Sequence, residues 1–543
     1  MPETANIARH LALMAARAPR QAALKIPRGR ATAGGIDYLT LDFAGLAAET
    51  AAWQKRLVTR GVRPGDRALV MVRPGLPLIA SVFALFALGA VPVIIDPGMG
   101  RKNFLACVTR SRPRVLVGVP LAQFFSRIFR APFRSVQLRV AASAKLTARL
   151  AAPDGAALAP EIGNAAATDL AAILFTSGST GAPKGVCYRH GMFEAQIRLI
   201  REAYGIEPGE VDLPLLPVFA LFNPALGLTT IVPEIDPRRP AAADPAAIVQ
   251  AIRQENVTNS FGSPTLWRKI GGYCMAEKIA LPSLRRVLCA GAPVPADLWQ
   301  NFRTWLPQGR LHSPYGATEA LPVSTVSAEE IDPASVRGAC VGRPLAGIEA
   351  RIIVLTDAPI ATLEAARPVP SGETGEIIVR GPVVTKTYDA LPEATAAAKI
   401  PAADGAIWHR MGDCGYLDPA GRLWFCGRKA ERVETAAGPM FTEPCEQVFR
   451  AHPRVARCAL IGLGSRGAQR PAIVIEAKPK NPGEARTWAG QLRVLARQHP
   501  HTATISLFYF HPNFPVDVRH NAKIHRLALA QWAATAKGFE ADR

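Results

Sequence analysis

The sequence lacks the features that mark several common protein classes. Its nine cysteines contain no C-x-x-C pair, which argues against a zinc site and favours thiols that stay reduced in the cytosol. The first residues lack the apolar core of a signal peptide. The most apolar run, residues 78–95, is interrupted by Gly89 and Pro92, which predicts a buried helix and strand rather than a transmembrane segment. We therefore predict a cytoplasmic protein without a transmembrane segment.

Acidic residues are also scarce. The chain has 43 acidic and 64 basic residues, and its net charge of +21 favours nucleic acid, anionic membranes or acidic ligands as partners. No nucleic-acid-binding motif accompanies this charge, so we predict no nucleic-acid partner. The chain is long and rich in apolar residues. Its 543 residues, 49% of them hydrophobic, predict more than one domain and a large core.

Helices and apolar strands alternate in the first part of the chain. The spacing of apolar residues predicts helices over 46–60 and 78–88, and strands over 67–72 and 91–95. This alternation is typical of an α/β fold with a parallel sheet covered on both faces. From about residue 429 the pattern changes to helix, strands, helix, strand and helix, which predicts a compact α+β unit.

One basic and aromatic stretch, residues 121–150, has two interpretations. Phenylalanines and Ile128 interleave there with Arg127, Arg130, Arg134 and Arg139. The stretch predicts either a core helix with a solvated basic face or a surface for a membrane, a partner or acyl-chain entry.

The most informative stretch is a loop rich in Thr, Ser and Gly within residues 174–186. An apolar strand over 170–175 leads into it, and a short strand over 186–188 leaves it. Glycines let backbone N–H groups turn inward, and hydroxyls and a lysine add donors, so the loop suits a polyphosphate. It lacks the Gly-Lys-Ser/Thr ending of a P-loop and the nucleophile elbow of hydrolases. The candidate phosphate-binding residues are Thr176, Ser177, Gly178, Ser179, Thr180, Gly181 and Lys184.

This loop resembles the phosphate loop of the adenylate-forming, or AMP-binding, superfamily of acyl-CoA synthetases, adenylation domains and luciferases. Further matches are 287–293, 312–319, 372–381, 409–416 and 427–428. The resemblance implies ATP and Mg²⁺ as cofactors, with Glu319 as the metal ligand, Thr318 at the α-phosphate and Lys184 in the catalytic set. It further implies that adenine lies against Gly291, Ala292, Pro293, Tyr315 and Gly316, and that Asp413 and Arg428 contact the ribose. The match at 372–381 implies a structural role only.

The same resemblance implies the domain organisation. It predicts a large N-terminal adenylation domain, residues 1–428, with layered sheets and helices, and a small mobile α+β domain, residues 429–543. Lys523 matches the mobile catalytic lysine of the superfamily, which bridges the substrate carboxylate and the α-phosphate, although Ala522 replaces the usual glycine. An exposed lysine at a helix start is the alternative.

An apolar, aromatic run over 214–227 stands where the superfamily has part of its acyl pocket. Ala220 takes the place of the usual histidine, and such a wall suits a long alkyl chain. Simple core packing is the alternative. The predicted pocket residues are Phe219, Ala220, Phe222 and Asn223.

The segment after residue 428 differs from the corresponding segment of acyl-CoA synthetases, and this difference argues against thioester formation with CoA. Residues 429–441 lack the Gly-x-Arg element of the hairpin that lines the thiol tunnel in those enzymes. Without that element another nucleophile is needed, and a β-hydroxy acid carries one that can close on its own activated carboxyl to give a β-lactone.

Three runs, 219–227, 315–322 and 520–526, resemble the β-lactone synthetases of bacterial long-chain olefin biosynthesis. This resemblance implies a long-chain 2-alkyl-3-hydroxy fatty acid as substrate and release of AMP and pyrophosphate. It implies a condensing enzyme, a reductase and a β-lactone decarboxylase as pathway partners, and it allows peripheral membrane contact. The alternatives are a long-chain fatty acyl-CoA ligase, an acyl-AMP ligase and a non-catalytic basic binding protein.

Overall fold

A computed structural model describes residues 4–32, 34–142, 159–176, 182–236, 242–516 and 523–541. The helices of these residues are α1 (Arg9–Arg17), α2 (Phe43–Thr59), α3 (Leu76–Leu88), α4 (Arg101–Ser111), α5 (Pro120–Ile128), α6 (His190–Tyr204), α7 (Asn223–Leu226), α8 (Pro245–Gln254), α9 (Pro264–Ala276), α10 (Ala296–Asn301), α11 (Pro392–Ala398), α12 (Thr442–Arg450), α13 (Pro482–Arg497) and α14 (Arg526–Ala533). The strands are β1 (Ala22–Arg30), β2 (Ile36–Asp42), β3 (Arg67–Met71), β4 (Val91–Ile95), β5 (Val115–Gly118), β6 (Leu138–Ala141), β7 (Leu170–Thr176), β8 (Lys184–Arg189), β9 (Val211–Asp212), β10 (Thr229–Ile231), β11 (Asn259–Gly262), β12 (Arg286–Cys289), β13 (Arg310–Ala317), β14 (Ala320–Ser327), β15 (Ala339–Pro344), β16 (Glu349–Ile353), β17 (Gly375–Arg380), β18 (Lys399–Pro401), β19 (Ile407–Leu417), β20 (Leu423–Arg428), β21 (Val433–Thr435), β22 (Gly438–Met440), β23 (Cys458–Leu463), β24 (Arg470–Glu476), β25 (Leu507–His511) and β26 (Phe539–Glu540).

A six-stranded sheet in the order β6-β5-β3-β4-β7-β8 carries the phosphate-loop strands. It is parallel apart from the β7–β8 pair. One face packs against α2 and α3, and the other packs against α4 and the aromatic residues that follow α5. The predicted parallel sheet with both faces covered is therefore confirmed, because each crossover helix buries one apolar face on the sheet.

A fourteen-stranded sheet forms the second large layer. Its strands follow the order β16-β17-β19-β20-β15-β14-β13-β12-β11-β9-β10-β1-β2, with β18 paired to β19. The core beside β11 and β12 includes Trp267 and Trp305, whose rings stack with centroids 5.6 Å apart. This sheet brings together segments that are far apart in the sequence, and the site residues lie on several of its strands.

The last part of the chain forms a four-stranded sheet, β23-β24-β25-β26, packed with α12, α13 and α14. The order of helix, strands, helix, strand and helix agrees with the sequence prediction. A separate hairpin, β21–β22, precedes α12. Residues 429–441, which lack the Gly-x-Arg element, therefore still include a hairpin.

The apolar run over 78–95 folds as α3 followed by β4, as predicted, and both are largely buried. No helix in the described part of the chain combines the length and apolarity needed to cross a membrane.

The outcome for the basic and aromatic stretch is mixed, and residues 143–150 of it lie outside the described residues. Phe125, Phe129 and Phe133 pack into the core beneath the six-stranded sheet. Leu121, Phe124 and Ile128 instead point to solvent from α5. Neither the core helix nor the interaction surface alone describes this stretch.

Candidate active site

A cavity of about 2210 Å³ collects residues from both large sheets and from the C-terminal unit. The predicted site residues that line it are Lys184, Phe219, Ala220, Phe222, Gly291, Ala292, Pro293, Tyr315, Gly316, Thr318, Glu319, Asp413, Arg428 and Lys523. Residues that are separated by more than 300 positions in the sequence therefore share one space.

The strands that flank the predicted phosphate loop form the base of the cavity. Thr176, at the end of β7, is the register partner of Lys184 at the start of β8. The ammonium of Lys184 lies 4.9 Å from the ring centroid of Tyr388. The predicted loop residues Ser177, Gly178, Ser179, Thr180 and Gly181 lie outside the described residues.

Glu319 lies in the turn between β13 and β14, where its carboxylate faces the cavity. Its Oε1 accepts a hydrogen bond of 2.8 Å from the Tyr388 hydroxyl. Its backbone oxygen accepts hydrogen bonds from the backbone N–H and the hydroxyl of Thr385, at 2.8 and 3.1 Å. These contacts hold the Glu319 backbone and carboxylate in one orientation.

Lys399 stands behind this turn and was not predicted as a site residue. Its ammonium donates a 3.0 Å hydrogen bond to the Thr385 hydroxyl. Burial lowers the pKa of Lys399 to about 7, against the opposing effect of Glu319. Neither Lys399 nor Tyr388 belongs to a motif with recognisable spacing, so only their position beside Glu319 reveals them.

The donor set suits Mg²⁺ bound jointly by protein and substrate. The described residues contain no group of three or more His, Cys, Asp or Glu side chains that could hold a metal ion. Mg²⁺ is commonly held by one or two carboxylates together with phosphate oxygens and waters. Glu319 uses one lone pair for Tyr388 and retains others for a cation, so it fits this role.

Asp413 lies on β19, directly paired with Arg428 on β20. Arg428 donates to Asp413 Oδ1 and the Tyr315 hydroxyl donates to Oδ2, each at 2.7 Å. Burial raises the pKa of Asp413, whereas Arg428, Tyr315 and Lys523 act in the opposite direction. A carboxylate offers about four lone-pair positions, so Asp413 can still accept hydrogen bonds from two ribose hydroxyls.

Two glycines stand beside the predicted adenine position where the backbone geometry favours glycine. Gly291 follows β12 with a φ of +98°, a conformation that favours glycine. A Cβ atom at Gly316 would lie 2.6 Å from the backbone oxygen of Ala320, so no larger residue fits without a backbone shift. The Tyr315 ring lies next to Gly316 and 6.3 Å from the Phe425 ring. The Tyr315 ring and both glycines line the same cavity.

The aromatic wall of the cavity is a 3₁₀ turn, Pro217–Phe222. Phe219 stacks on Phe261 with ring centroids 3.8 Å apart. Asn223 does not line the cavity, because its buried amide donates to Asp212 at 2.8 Å and to Thr230 at 2.9 Å. The run thus serves as core on one side and as cavity wall on the other.

Lys523 stands just before α14 and reaches the cavity from the C-terminal unit. Three residues later, Arg526 donates to both oxygens of Glu446, at 2.7 and 2.8 Å, and to Glu431 at 2.9 Å. Glu446 lies on α12 and Glu431 follows β20, so this buried cluster ties three segments together. Sequence reasoning missed it because the partners are 80 and 95 residues apart.

The hairpin β21–β22 carries an acidic side chain and no basic one. No lysine or arginine occurs between Val433 and Phe441. Glu434 on β21 forms ion pairs with Arg432 and Arg466, which lie outside the hairpin. This hairpin therefore offers no cation to the phosphates of CoA.

Comparison with known proteins identifies relatives of this chain among AMP-binding enzymes. A family model described as AMP-binding enzyme matches residues 15–389. An olefin β-lactone synthetase of Xanthomonas campestris is 44% identical over 550 residues, which cover 98% of each chain. An amide bond synthetase of Marinactinospora thermotolerans has a TM-score of 0.77 at 22% identity, over 97% of this chain and 99% of that one. The o-succinylbenzoate coenzyme A synthetase of Bacillus subtilis, in complex with ATP and a magnesium ion, has a TM-score of 0.73 at 22% identity, over 96% and 98%.

The two solved structures show a shared fold across nearly the whole chain. Similarity of fold alone does not show membership of a family. The family model does, because it matches residues 15–389, which include Lys184, Glu319 and Tyr388. The chain therefore belongs to the family of AMP-binding enzymes.

Proposed function

We propose that this protein is an ATP-dependent ligase that adenylates a long-chain 2-alkyl-3-hydroxy fatty acid and closes it to a β-lactone. AMP and pyrophosphate are the other products. The observation that carries the proposal is the 44% identity to an olefin β-lactone synthetase over 98% of both chains. The aligned part covers nearly the whole chain and so spans both the hairpin and the segment around Lys523.

The cavity supports the proposal because it can hold both reactants. Asp413 and Tyr315 stand at one part of its wall, Glu319 and Lys184 at another, and the aromatic turn with Phe219 at a third. The polar parts suit a nucleotide and the aromatic part suits an alkyl chain. A single space for both groups is what transfer of AMP to a fatty carboxylate requires.

In the first step, a carboxylate oxygen of the fatty acid attacks the α-phosphorus of ATP, and the bond to pyrophosphate breaks. Bound Mg²⁺ supplies charge neutralisation on the phosphates. Asp413 accepts the ribose hydroxyls, and Lys184 with the preceding loop binds the departing pyrophosphate. Lys523 places its ammonium between the carboxylate and the α-phosphate, where negative charge is shared in the transition state.

In the second step, the 3-hydroxyl oxygen of the same substrate attacks its own acyl carbon. The bond to AMP breaks, the hydroxyl proton is released, and a four-membered lactone remains. The aromatic wall at Phe219 and Phe222 holds the alkyl chains and keeps water from the acyl-adenylate. Tethering of the hydroxyl favours closure over attack by an external thiol.

The proposal extends to domain organisation and pathway. Residues 1–428 form the adenylation domain, and residues 429–543 form a lid that delivers Lys523. This division is supported by two C-terminal cores whose buried members all lie beyond residue 432. Enzymes that condense and reduce acyl chains supply the hydroxy acid, and a β-lactone decarboxylase consumes the product.

Product identification distinguishes this function from an acyl-CoA or acyl-AMP ligase. The protein is incubated with ATP, Mg²⁺ and a synthetic 2-alkyl-3-hydroxy fatty acid, with and without CoA. We expect mass spectrometry to find a product one water lighter than the acid, formed with AMP release and without CoA, and NMR to show a lactone rather than an alkenoic acid. A thioester that appears only with CoA would refute the proposal.

Substitution of Glu319 tests the metal role. We expect Glu319→Gln to raise the Mg²⁺ concentration needed for half-maximal turnover by about tenfold or more, because an amide oxygen is a weaker ligand than a carboxylate. A titration of activity against Mg²⁺ measures this shift. Glu373→Gln, on the exposed turn before β17, is the matched control and should leave the titration unchanged. An unshifted titration for Glu319→Gln would exclude this carboxylate as the ligand.

A further inference from the structure

Helix α5 exposes large apolar side chains on its outward face. Leu121, Phe124 and Ile128 are 73%, 60% and 57% exposed, and their spacing places them on one face. The inward side carries the buried Ala122, Gln123 and Ser126, and the half-buried Phe125 packs into the core beside them. Surface helices normally bury the large apolar residues and expose the polar ones. The exposed stripe is therefore not explained by the packing of the fold.

Hydrogen bonds hold α5 in this orientation. The buried Gln123 amide donates to the backbone oxygens of Gly118 on β5, at 3.2 Å, and Val140 on β6, at 3.1 Å. The Ser126 hydroxyl accepts a 3.2 Å hydrogen bond from Arg139. These contacts fix the polar face against the sheet and leave the apolar face directed outward. A large exposed apolar stripe on a fixed element is typical of an interaction surface.

The charge around α5 is of one sign. Residues 97–153 include eleven lysines and arginines and not a single Asp or Glu, so about half of the net charge of +21 comes from this segment. Arg127, Arg130 and Arg134 are exposed, and none forms an ion pair with another described residue. Cations beside an exposed apolar stripe complement a surface that is anionic outside and apolar inside.

The segment before α4 connects the cavity wall to the neighbourhood of α5. The loop before α4 contributes Asp96 and Gly98 to the cavity wall. Arg101, at the start of α4, places its guanidinium 5.9 Å from the ring centroid of Phe129, just beyond α5. Helix α4 therefore begins beside the cavity wall and contacts the segment that follows α5.

We propose that the α5 patch, consisting of Leu121, Phe124, Ile128, Arg127, Arg130 and Arg134, binds the surface of an anionic lipid bilayer. The apolar stripe inserts among the acyl chains at the interface, and the arginines bind lipid phosphates. Nucleic acid offers the arginines phosphates but leaves the apolar stripe in water, so a bilayer fits both features. Delivery of a fatty substrate from the bilayer to the cavity rests on the proposed function, whereas binding to the bilayer does not.

Sedimentation with lipid vesicles in the absence of substrate tests the proposal. The full chain is mixed with vesicles of phosphatidylcholine containing phosphatidylglycerol, or with phosphatidylcholine alone. We expect binding to the anionic vesicles and a marked loss at high salt, because salt screens the arginines. The triple variant Arg127→Glu, Arg130→Glu, Arg134→Glu should bind the anionic vesicles about tenfold or more weakly.

Two further variants separate the patch from net charge. Arg367→Glu, Lys478→Glu, Arg486→Glu makes the same change in charge at exposed positions on other elements and should bind like the wild type. Leu121→Ser, Phe124→Ser, Ile128→Ser removes the apolar stripe without changing charge and should also weaken binding. ATP-dependent AMP release confirms that each variant is folded. The proposal is overturned if the wild type does not bind anionic vesicles or if both α5 variants bind them unchanged; a protein partner would then be the remaining occupant.

Discussion

Replacing Lys523 by alanine is expected to reduce the rate of acyl-adenylate formation by at least about 100-fold, while ATP still binds. Removing one preorganised donor from a developing charge typically costs about 100- to 1000-fold in kcat. Lys523 reaches the cavity that also contains Glu319 and Asp413. ATP contacts many other residues, so its affinity should change little. Pyrophosphate release measures the first step, and a fluorescent ATP analogue measures binding.

Lys537→Ala is the matched control, because Lys537 is an exposed lysine of the same C-terminal unit. It should retain full activity. Lys523→Arg keeps the charge but changes its shape and reach, so we expect partial activity at most. Adenylation by Lys523→Ala at the wild-type rate would remove this lysine from the mechanism.

Replacing Arg526 by alanine is expected to destabilise the C-terminal unit by about 3 kcal/mol or more. Arg526 is only 15% exposed, and Glu446, its bidentate partner, is fully buried. Without Arg526, Glu446 retains the cation of Arg450 and a hydrogen bond from the backbone N–H of Leu460, and Glu431 loses its ion-pair partner. Breaking a buried ion pair is costly because the remaining charge is neither solvated nor neutralised. Hydrogen exchange across residues 433–516 in increasing denaturant measures the loss within this unit.

The loss of stability caused by Arg526→Ala should decrease as the pH is lowered. Burial alone would raise the pKa of Glu446, but Arg526 and Arg450 outweigh it and hold the pKa below its usual value of 4.5. A carboxyl with a lowered folded-state pKa contributes stability above its unfolded-state pKa and loses it as the pH falls through the folded-state pKa. The difference between Arg526→Ala and wild type should therefore be largest near neutral pH and shrink below about pH 4.5.

Arg470→Ala provides the control for this measurement. Arg470 pairs with Glu540 in the same unit, but both side chains are more than 40% exposed. Exposed pairs contribute about 0–1 kcal/mol, so this variant should be nearly as stable as the wild type. Equal losses for Arg470→Ala and Arg526→Ala would mean that the buried cluster has no special role. A folded Arg526→Ala variant with slower adenylation would show that the cluster also positions Lys523.

Local patterns predicted much of the fold. The β7 and β8 strands, the α2–β3–α3–β4 alternation and the order of elements after residue 441 all agree with the structure, because hydrophobic periodicity reports which side of an element is buried. The hairpin β21–β22 shows that the absence of a motif does not predict the absence of the structure that usually carries it. The Gly-x-Arg element is missing from the sequence, yet β21 and β22 still pair, since backbone hydrogen bonding does not need that motif.

The candidate site could be predicted only in part. Motifs identified Lys184, Glu319, Asp413 and Lys523 as candidates, and the structure brings them to one cavity. We predicted Asn223 as a pocket residue because it lies in the aromatic run over 214–227. In the structure its amide instead donates hydrogen bonds to Asp212 and Thr230 inside the core. A run of residues indicates that a segment lies at a site but does not tell which side chains face it.

The sequence by itself determined the alternation of helices and strands over residues 46–95, the phosphate-loop strands and the family of this protein, because these depend on short-range periodicity and on motifs. Only the tertiary structure decided that Tyr388 and Lys399 support Glu319, that Arg526 joins Glu446 to Glu431, and that α5 turns its apolar face outward. These contacts depend on which strands are neighbours in the sheets and on which backbone oxygens remain for buried polar groups. Neither is encoded in the spacing of nearby residues, so the physical reason for the site lies in the packing of distant segments.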